Sequence, residues 1–351
     1  MFFQNTNVYG LSGGVAPKVL TSPFGTQQRK EIFAASVQES KIFIPKKAEV
    51  GGMDFLIDFA AGGVSGAIAK TITAPIERVK LLIQTQDANP KIISGEIPRY
   101  TGIVNCFSRV YAEQGLFSFW RGNVTNILRY FPTQAFNFAF KDSIKKLFPK
   151  ADPKKEFARF FAINMASGGL AGAGSLCFVY PLDYARTRLA SDVGSGKRDF
   201  NGLFDCISKT VSRGGPLALY QGFGVSVLGI IPYRGVYFGL YDTAREQNPY
   251  KNELGMLGIA SKFAIAQVVA ITAGYASYPF DTVRRRLQMQ AEKPRSEWMY
   301  QGTLDCFSKV AQKEGIGAFF KGAGANALRT VGSAMVLVLY DQIKGIIAAN
   351  K

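Results

Sequence analysis

The sequence predicts an all-α membrane protein: six transmembrane helices in three pseudo-threefold repeats, with short surface helices on one side. Three observations carry this expectation. One segment is written three times, one hundred residues apart: "YTGIVNCFSRVYAEQG" from Tyr100, "FNGLFDCISKTVSRGG" from Phe200 and "YQGTLDCFSKVAQKEG" from Tyr300. Each copy lies between two long apolar segments. The composition is that of a membrane chain, with 47% apolar residues, 37 glycines and only 19% charged residues in 351, where a soluble domain carries about 25% charge.

The echo extends in both directions. Upstream of each copy stand "PIERVK" at Pro75, "PLDYAR" at Pro181 and "PFDTVR" at Pro279; downstream stand "KDSIK", "YDTAR" and "YDQIK", ending at Lys145, Arg245 and Lys344. The repeat unit is therefore about one hundred residues, and the expected division is 53–150, 151–250 and 251–351. Residues 1–52 are expected to be an extension, flexible or targeting. The first fifty residues hold six Lys/Arg and three Glu, without the apolar core of a signal peptide.

Net charge is +17, with four cysteines and no histidine. The basic residues form no single block, and several sit alone inside apolar runs. That argues against a nucleic-acid partner and leaves anionic lipid and an anionic solute. Cys106, Cys206 and Cys306 hold the same place in each copy, so they read as packing residues. Without histidine there is no Cys–His metal site.

The first apolar segment of each unit covers roughly 54–86, 158–190 and 256–289, and the second roughly 122–146, 221–246 and 322–346. Each is long enough for a bilayer core of about 30 Å. None is wholly apolar: Lys70 interrupts the first, and Asn126, Arg129, Gln134 and Asn137 interrupt the second. Such helices need one face toward lipid and one toward water. The repeated segment between them has helical, amphipathic spacing and suits the membrane surface. A soluble six-helix bundle is the alternative, but the chain has little polar surface for it. "AGGVSG" and "SGGLAG" offer small residues for close helix contact, and one proline in each first helix would bend the bundle inward at one end.

That end carries charge. Glu77, Asp183 and Asp281 follow the prolines by two residues, and Lys80, Arg186 and Arg284 come three later. Each pair shares a helix face and could close on itself. In a threefold bundle the acid of one helix can instead meet the base of the next: Glu77 with Arg186, Asp183 with Arg284, Asp281 with Lys80. Gln84 and Gln288 could bond to the ring from below. Buried ion pairs nearly balance attraction against desolvation, which suits a gate. The other end has a matching set, Asp142–Lys145, Asp242–Arg245 and Asp341–Lys344, with Tyr241 and Tyr340 beside two of the acids. Two gates that never open together make alternating access.

Residues that break the threefold pattern point to the solute. Equivalent positions hold Arg129, Gly229 and Arg329, while Lys70 and Arg234 stand singly. Isolated cations at membrane depth cost a few kcal/mol, ~3 on insertion scales, so they imply an anionic solute. With no carboxylate expected near them, they imply several negative charges, as on phosphates. Gly229 and Ile230 with Tyr233 nearby would offer an open, flat surface for a base. Asn137 joins the solute-facing set. No phosphate-cradling Gly-rich loop ending in Lys-Ser/Thr is present, so an enzyme is not expected and the drive is solute gradients and voltage. One net charge moved across 100 mV is worth about 2.3 kcal/mol.

The triple Pro-x-Asp/Glu-x-x-Lys/Arg pattern, followed by "EQGLFSFWRG", "RGGPLALYQG" and "KEGIGAFFKG", resembles the mitochondrial carrier family over residues 53–346. The resemblance implies electrogenic exchange of ADP for ATP across the inner mitochondrial membrane, or that of a related organelle or plastid, by a monomer needing no cofactor. It implies that Lys70, Arg129 and Arg329 bind phosphates and that Gly229, Ile230 and Tyr233 lie near adenine. It makes the first ring the matrix gate and the second the cytoplasmic gate. It also implies structural cardiolipin near Gly122, Gly222 and Gly322, and makes Arg285 and Arg286 signature basic residues met by passing nucleotide. The alternative function is carriage of another adenine nucleotide or nucleotide-like cofactor, exchanged for phosphate. A leak pathway, or a structural protein that has lost transport, is a third reading.

Overall fold

The computed structural model describes residues 52–149, 156–194, 198–253 and 256–349. Residues 1–51 of the expected extension lie outside them. Each repeat has the same order of long helix, surface helix and long helix. The first holds α1 (Gly52–Thr85), α2 (Ile103–Gln114) and α3 (Asn123–Lys146). The second holds α4 (Phe157–Ala190), α5 (Leu203–Gly214) and α6 (Phe223–Glu246). The third holds α7 (Met256–Gln290), α8 (Thr303–Glu314) and α9 (Ala323–Ala349). The extensive contacts between repeats join α3 to α4, α6 to α7 and α9 back to α1, so the long helices form a closed ring.

Among the described residues, three helical stretches are long and apolar enough to cross a membrane: Ala158–Ala190, Pro216–Glu246 and Leu257–Gln290. The sequence pattern predicted six. The other long helices, α1, α3 and α9, have 34, 24 and 27 residues and so reach about 36 Å or more at ~1.5 Å per residue. They have the length to cross, but α3 mixes Arg129, Lys141, Lys145 and Lys146 into its apolar positions. Polar residues facing the inside of a ring dilute the apolar signal without shortening the helix.

Pro75, Pro181 and Pro279 all lie inside continuous helices. Two are preceded by tyrosines that tie the proline region to the start of the next long helix. Tyr180 donates its hydroxyl to the Gln221 carbonyl at 2.9 Å, and Tyr278 donates to that of Lys321 at 3.1 Å. In the first repeat Trp120 makes a link of its own, Nε1 to the Thr71 carbonyl at 2.8 Å.

The thrice-written segment builds three small cores beneath its surface helices. In the first, Tyr100, Cys106, Val110 and Phe119 pack on Val79, Leu82 and Ile83 of α1. Phe200, Cys206 and Leu219, and Tyr300, Cys306, Val310 and Phe319, do the same in the other repeats. The three cysteines are fully buried, and burial pushes each thiol up to about 12. They act as small apolar residues. Cys177 is exposed, and all four are unbridged.

The small-residue stripes are filled by side chains, not by backbone. A Cβ on Gly63 would strike Phe131, and one on Gly66 would strike Tyr130, both from α3. A different rule governs Gly122, Gly222 and Gly322, which start the second long helices. Their φ values are +80°, +80° and +85°, a left-handed region that costs other residues about 1–2 kcal/mol. A Cβ there would lie 3.1, 3.0 and 3.0 Å from the backbone carbonyl oxygens of Arg186, Arg284 and Lys80. Each glycine thus lets one repeat press against the neighbouring repeat at a cation of the charged ring.

Gly322→Ala is expected to lower the thermal stability of the detergent-solubilised protein by about 1–2 kcal/mol or more. Gly324→Ala, whose Cβ would meet only Ile103 Cδ1 at 3.6 Å, should leave it nearly unchanged. Equal unfolding temperatures for the two variants would contradict this packing.

Candidate functional site

Just past the three prolines, carboxylates and cations of neighbouring repeats meet. Arg186 pairs with Glu77, Arg284 pairs with Asp183, and Lys80 Nζ lies 2.9 Å from Asp281 Oδ2. Every acid is held by the base of the next repeat. Residues three apart share one inward face of a helix, about 60° from one another, so on a closed ring the acid can lean toward one neighbour and the base toward the other.

The glutamines sit where they can support it. Gln84 Nε2 donates to Asp281 Oδ2 at 3.2 Å and to Thr282 Oγ1 at 3.1 Å. Gln288 Nε2 donates to the Tyr180 hydroxyl at 3.2 Å and reaches Asp183 Oδ2 at 3.5 Å. Both glutamines are fully buried. The Glu77–Arg186 pair has no glutamine, since Ala190 occupies that place in α4.

Three further residues join the ring. Arg285 Nη1 lies 3.2 Å from Asp183 Oδ2, and its Nε lies 3.4 Å from Asp281 Oδ1, so it bridges two acids; it also bonds Thr187. Asn126 Nδ2 donates to Glu77 Oε2 at 3.1 Å. The equivalence of Asn126, Ser226 and Asn326 could have revealed this position. Arg129 Nη1 stands 3.7 Å from Asp183 Oδ1, which corrects the expectation that the solute cations have no carboxylate nearby. The close packing of α3 on α4 turns Arg129 toward the ring acid of the next repeat.

The other candidate solute residues are distributed around the interior helices. Lys70 lies over the Tyr130 ring, 5.6 Å from its centroid, a cation–π arrangement. Arg329 donates to Asn326 Oδ1 at 3.3 and 3.4 Å. Tyr233, Tyr237 and Tyr241 form a stacked ladder on successive turns of α6, with centroid spacings of 6.0 and 5.8 Å.

Gly229 and Ile230 are half-buried, each with one side against a neighbouring helix. A Cβ on Gly229 would lie 3.0 Å from Phe280 Cβ of α7, and Ile230 Cδ1 lies 3.3 Å from the Cβ position of Gly172 in α4. Both are helix contacts, because α6 is clasped between its neighbours. Arg234 also fills a glycine gap, lying against Gly168. Arg286 is fully buried among Tyr300, Glu314 and Asp87, not exposed to a path. Burial alone would raise the Glu314 carboxyl, but the hydrogen bond and charge of Arg286 outweigh it and hold the group below its ordinary value.

At the opposite end, Tyr241 is half-buried and Arg245 is exposed. Asn137, Asp142, Lys145, Asp242, Tyr340, Asp341 and Lys344 lie outside the residues whose side chains are described.

A threefold ring of long helices, cross-tied by buried charge at one end and holding unrepeated cations inside, is the layout of a three-repeat membrane carrier. The chain belongs to the mitochondrial carrier family: the family profile described as "Mitochondrial carrier protein" matches residues 51–152, 158–251 and 255–351. It is 64% identical over 318 residues to an "ADP,ATP carrier protein" of Parachlorella kessleri, covering 90% of this chain and 92% of that one. It is 56% identical over 308 residues to "ADP/ATP translocase 4" of Bos taurus, covering 86% and 93%, and 55% identical over 295 residues to "ADP/ATP translocase 2" of the same organism, covering 83% and 97%. Family membership makes the chain a transporter, not an enzyme, and a multi-pass protein of the inner mitochondrial membrane.

Asp183 is approached by Arg284, Arg285 and Arg129, whereas the cation paired with Glu77 is Arg186. Removing one partner of a buried pair costs about 3–5 kcal/mol. Asp183→Asn is therefore expected to lower the unfolding temperature in detergent more than Glu77→Gln does. The reverse order would show that the ring's stability is not set by these contacts.

Proposed function

We propose that the chain exchanges ADP for ATP across the inner mitochondrial membrane, electrogenically and as a monomer. The observation that carries this reading is the unrepeated set Lys70, Arg129 and Arg329, one from each of α1, α3 and α9. A solute that recruits cations at two of three equivalent positions, with Gly229 at the third, and at a single Lys70 is itself unsymmetrical and multiply anionic, as a nucleoside di- or triphosphate is. The names of the relatives, at 54–64% identity, agree with that chemistry.

In this reading the phosphates sit on Lys70, Arg129 and Arg329, and the adenine lies along α6 near Gly229, Ile230 and the ring of Tyr233. The Glu77–Arg186, Asp183–Arg284 and Asp281–Lys80 pairs are the matrix gate. The acids and bases at the far end of α3, α6 and α9 are the cytoplasmic gate. Each pair is near balance between attraction and desolvation, so a solute that draws cations toward its phosphates can tip it. The six long helices cross the bilayer as three repeats, 53–150, 151–250 and 251–351, following the extension 1–52. Cardiolipin headgroups bind at the starts of the second long helices, near Gly122, Gly222 and Gly322, where a helix N-terminus favours phosphate.

The test is exchange in liposomes loaded with ADP. Arg129→Ala and Arg329→Ala should each lower the initial exchange rate on the order of a hundredfold, as loss of a desolvated charge contact of about 2–5 kcal/mol implies. Thermal unfolding should still show a folded protein. Unchanged exchange in either variant would remove that residue from the site. Competition of labelled ADP uptake by AMP, phosphate, GTP and coenzyme A separates this reading from carriage of another nucleotide-like solute: only ATP and ADP should compete.

A further inference from the structure

A second set of acids lies just beyond the ring, after the ends of the first long helices. Asp87 follows α1, Asp192 follows α4 and Glu292 follows α7. They stand ten, nine and eleven residues after Glu77, Asp183 and Asp281, so they are out of register as a repeat. In space they do one thing three times. Asp87 Oδ2 lies 2.5 Å from Lys321 and 3.4 Å from Arg286, both of the third repeat. Asp192 lies 3.6 Å from Lys91 and 3.9 Å from Arg121, both of the first. Glu292 pairs with Arg188 and lies 3.7 Å from Arg213, both of the second.

The polarity is reversed relative to the inner ring. There, the acid of each repeat meets the base of the next. Here, the acid of each repeat meets bases of the preceding one, and Asp87 also meets Arg99 of its own repeat at 3.2 Å. Every interface between repeats is thus stitched twice, once in each direction. Sliding one repeat along another cannot exchange one pair for the other, because like charges would meet. Only separation frees both. At the first contact the acid is deep and one cation comes from the rim, the Asp87 side chain being 2% exposed and that of Lys321 32% exposed, whereas Arg286 and Arg188 are buried with their acids.

We propose that Asp87, Asp192 and Glu292 with these cations form an outer closure that must part together with the inner ring. They are positioning residues: they touch no solute and set how readily this end opens. The inference rests on the reading above that this end opens during exchange. Asp87 with Lys321 is the closest of these contacts whose cation is accessible, and it is the one to test. At Asp192 the cations stand farther off, at 3.6 and 3.9 Å, and burial and then the neighbouring Asp199 push the carboxyl up.

The experiment uses the full chain in liposomes, with ADP presented on either side. Weakening a closure shifts population toward the state open at that end. Lys321→Gln and Asp87→Asn should each lower KM for nucleotide on the closure side and raise it on the other, by about fivefold. The double variant should shift no further than the larger single. Lys321→Arg, which keeps the charge, should retain the unaltered values. A merely structural role would reduce the amount of active protein and leave both KM values in place. KM values that stay put, or move in the same direction on both sides, overturn the proposal. If the unaltered chain exchanges no nucleotide, the functional reading fails instead. The closure is then judged by a double-mutant cycle of Asp87 and Lys321 on thermal unfolding, where additive effects overturn it.

Discussion

A carboxylate cannot stay buried without a partner, and the architecture follows from where each partner comes from. Glu77, Asp183 and Asp281 each take their cation from the adjoining repeat. Asp281 alone of the three also meets a cation of its own repeat, Arg285; the other pairings are supplied only when the ring of helices closes. The left-handed glycines at 122, 222 and 322 bring each repeat close enough for this, since their missing Cβ atoms leave room for the carbonyls of Arg186, Arg284 and Lys80. The buried glutamines and the tyrosine hydroxyls satisfy polar groups around the pairs without adding charge.

Such a ring contributes specificity of assembly more than net stability, because desolvation offsets most of the attraction. That is an advantage for a protein that must open. Asp183 joins the ring to the interior, being within reach of Arg129 as well as Arg284 and Arg285. An anion that engages Arg129 changes the charge balance of the ring directly. The outer contacts at Asp87, Asp192 and Glu292 place a second layer of charge below it, with opposite polarity, so the same interfaces are held at two depths.

Much of the fold was legible because threefold repetition writes each structural role three times. The buried cysteines, the prolines and the inter-repeat pairing of Glu77 with Arg186 all follow from that register. What escaped the sequence were features that break it. Arg285 bridges two acids from a position held by Leu81 and Thr187 in the other repeats. The outer acids differ in spacing by one residue each. The close approach of Phe280, whose Cβ lies 3.0 Å from where a Gly229 Cβ would stand, is another. Apolar content alone marked three spans, because helices that line a wet interior carry polar residues along one face.

The most direct measurement of the central claim is a double-mutant cycle on Glu77 and Arg186, the ring pair with the fewest other contacts. Glu77→Gln, Arg186→Gln and the double variant are compared by thermal unfolding in detergent. Dependence of each repeat on the next predicts that either single variant destabilises the protein strongly, and that the double is less destabilised than the sum of the two, by at least about 1 kcal/mol. Strictly additive losses would contradict it, showing that the two side chains sit close together without holding the repeats to one another.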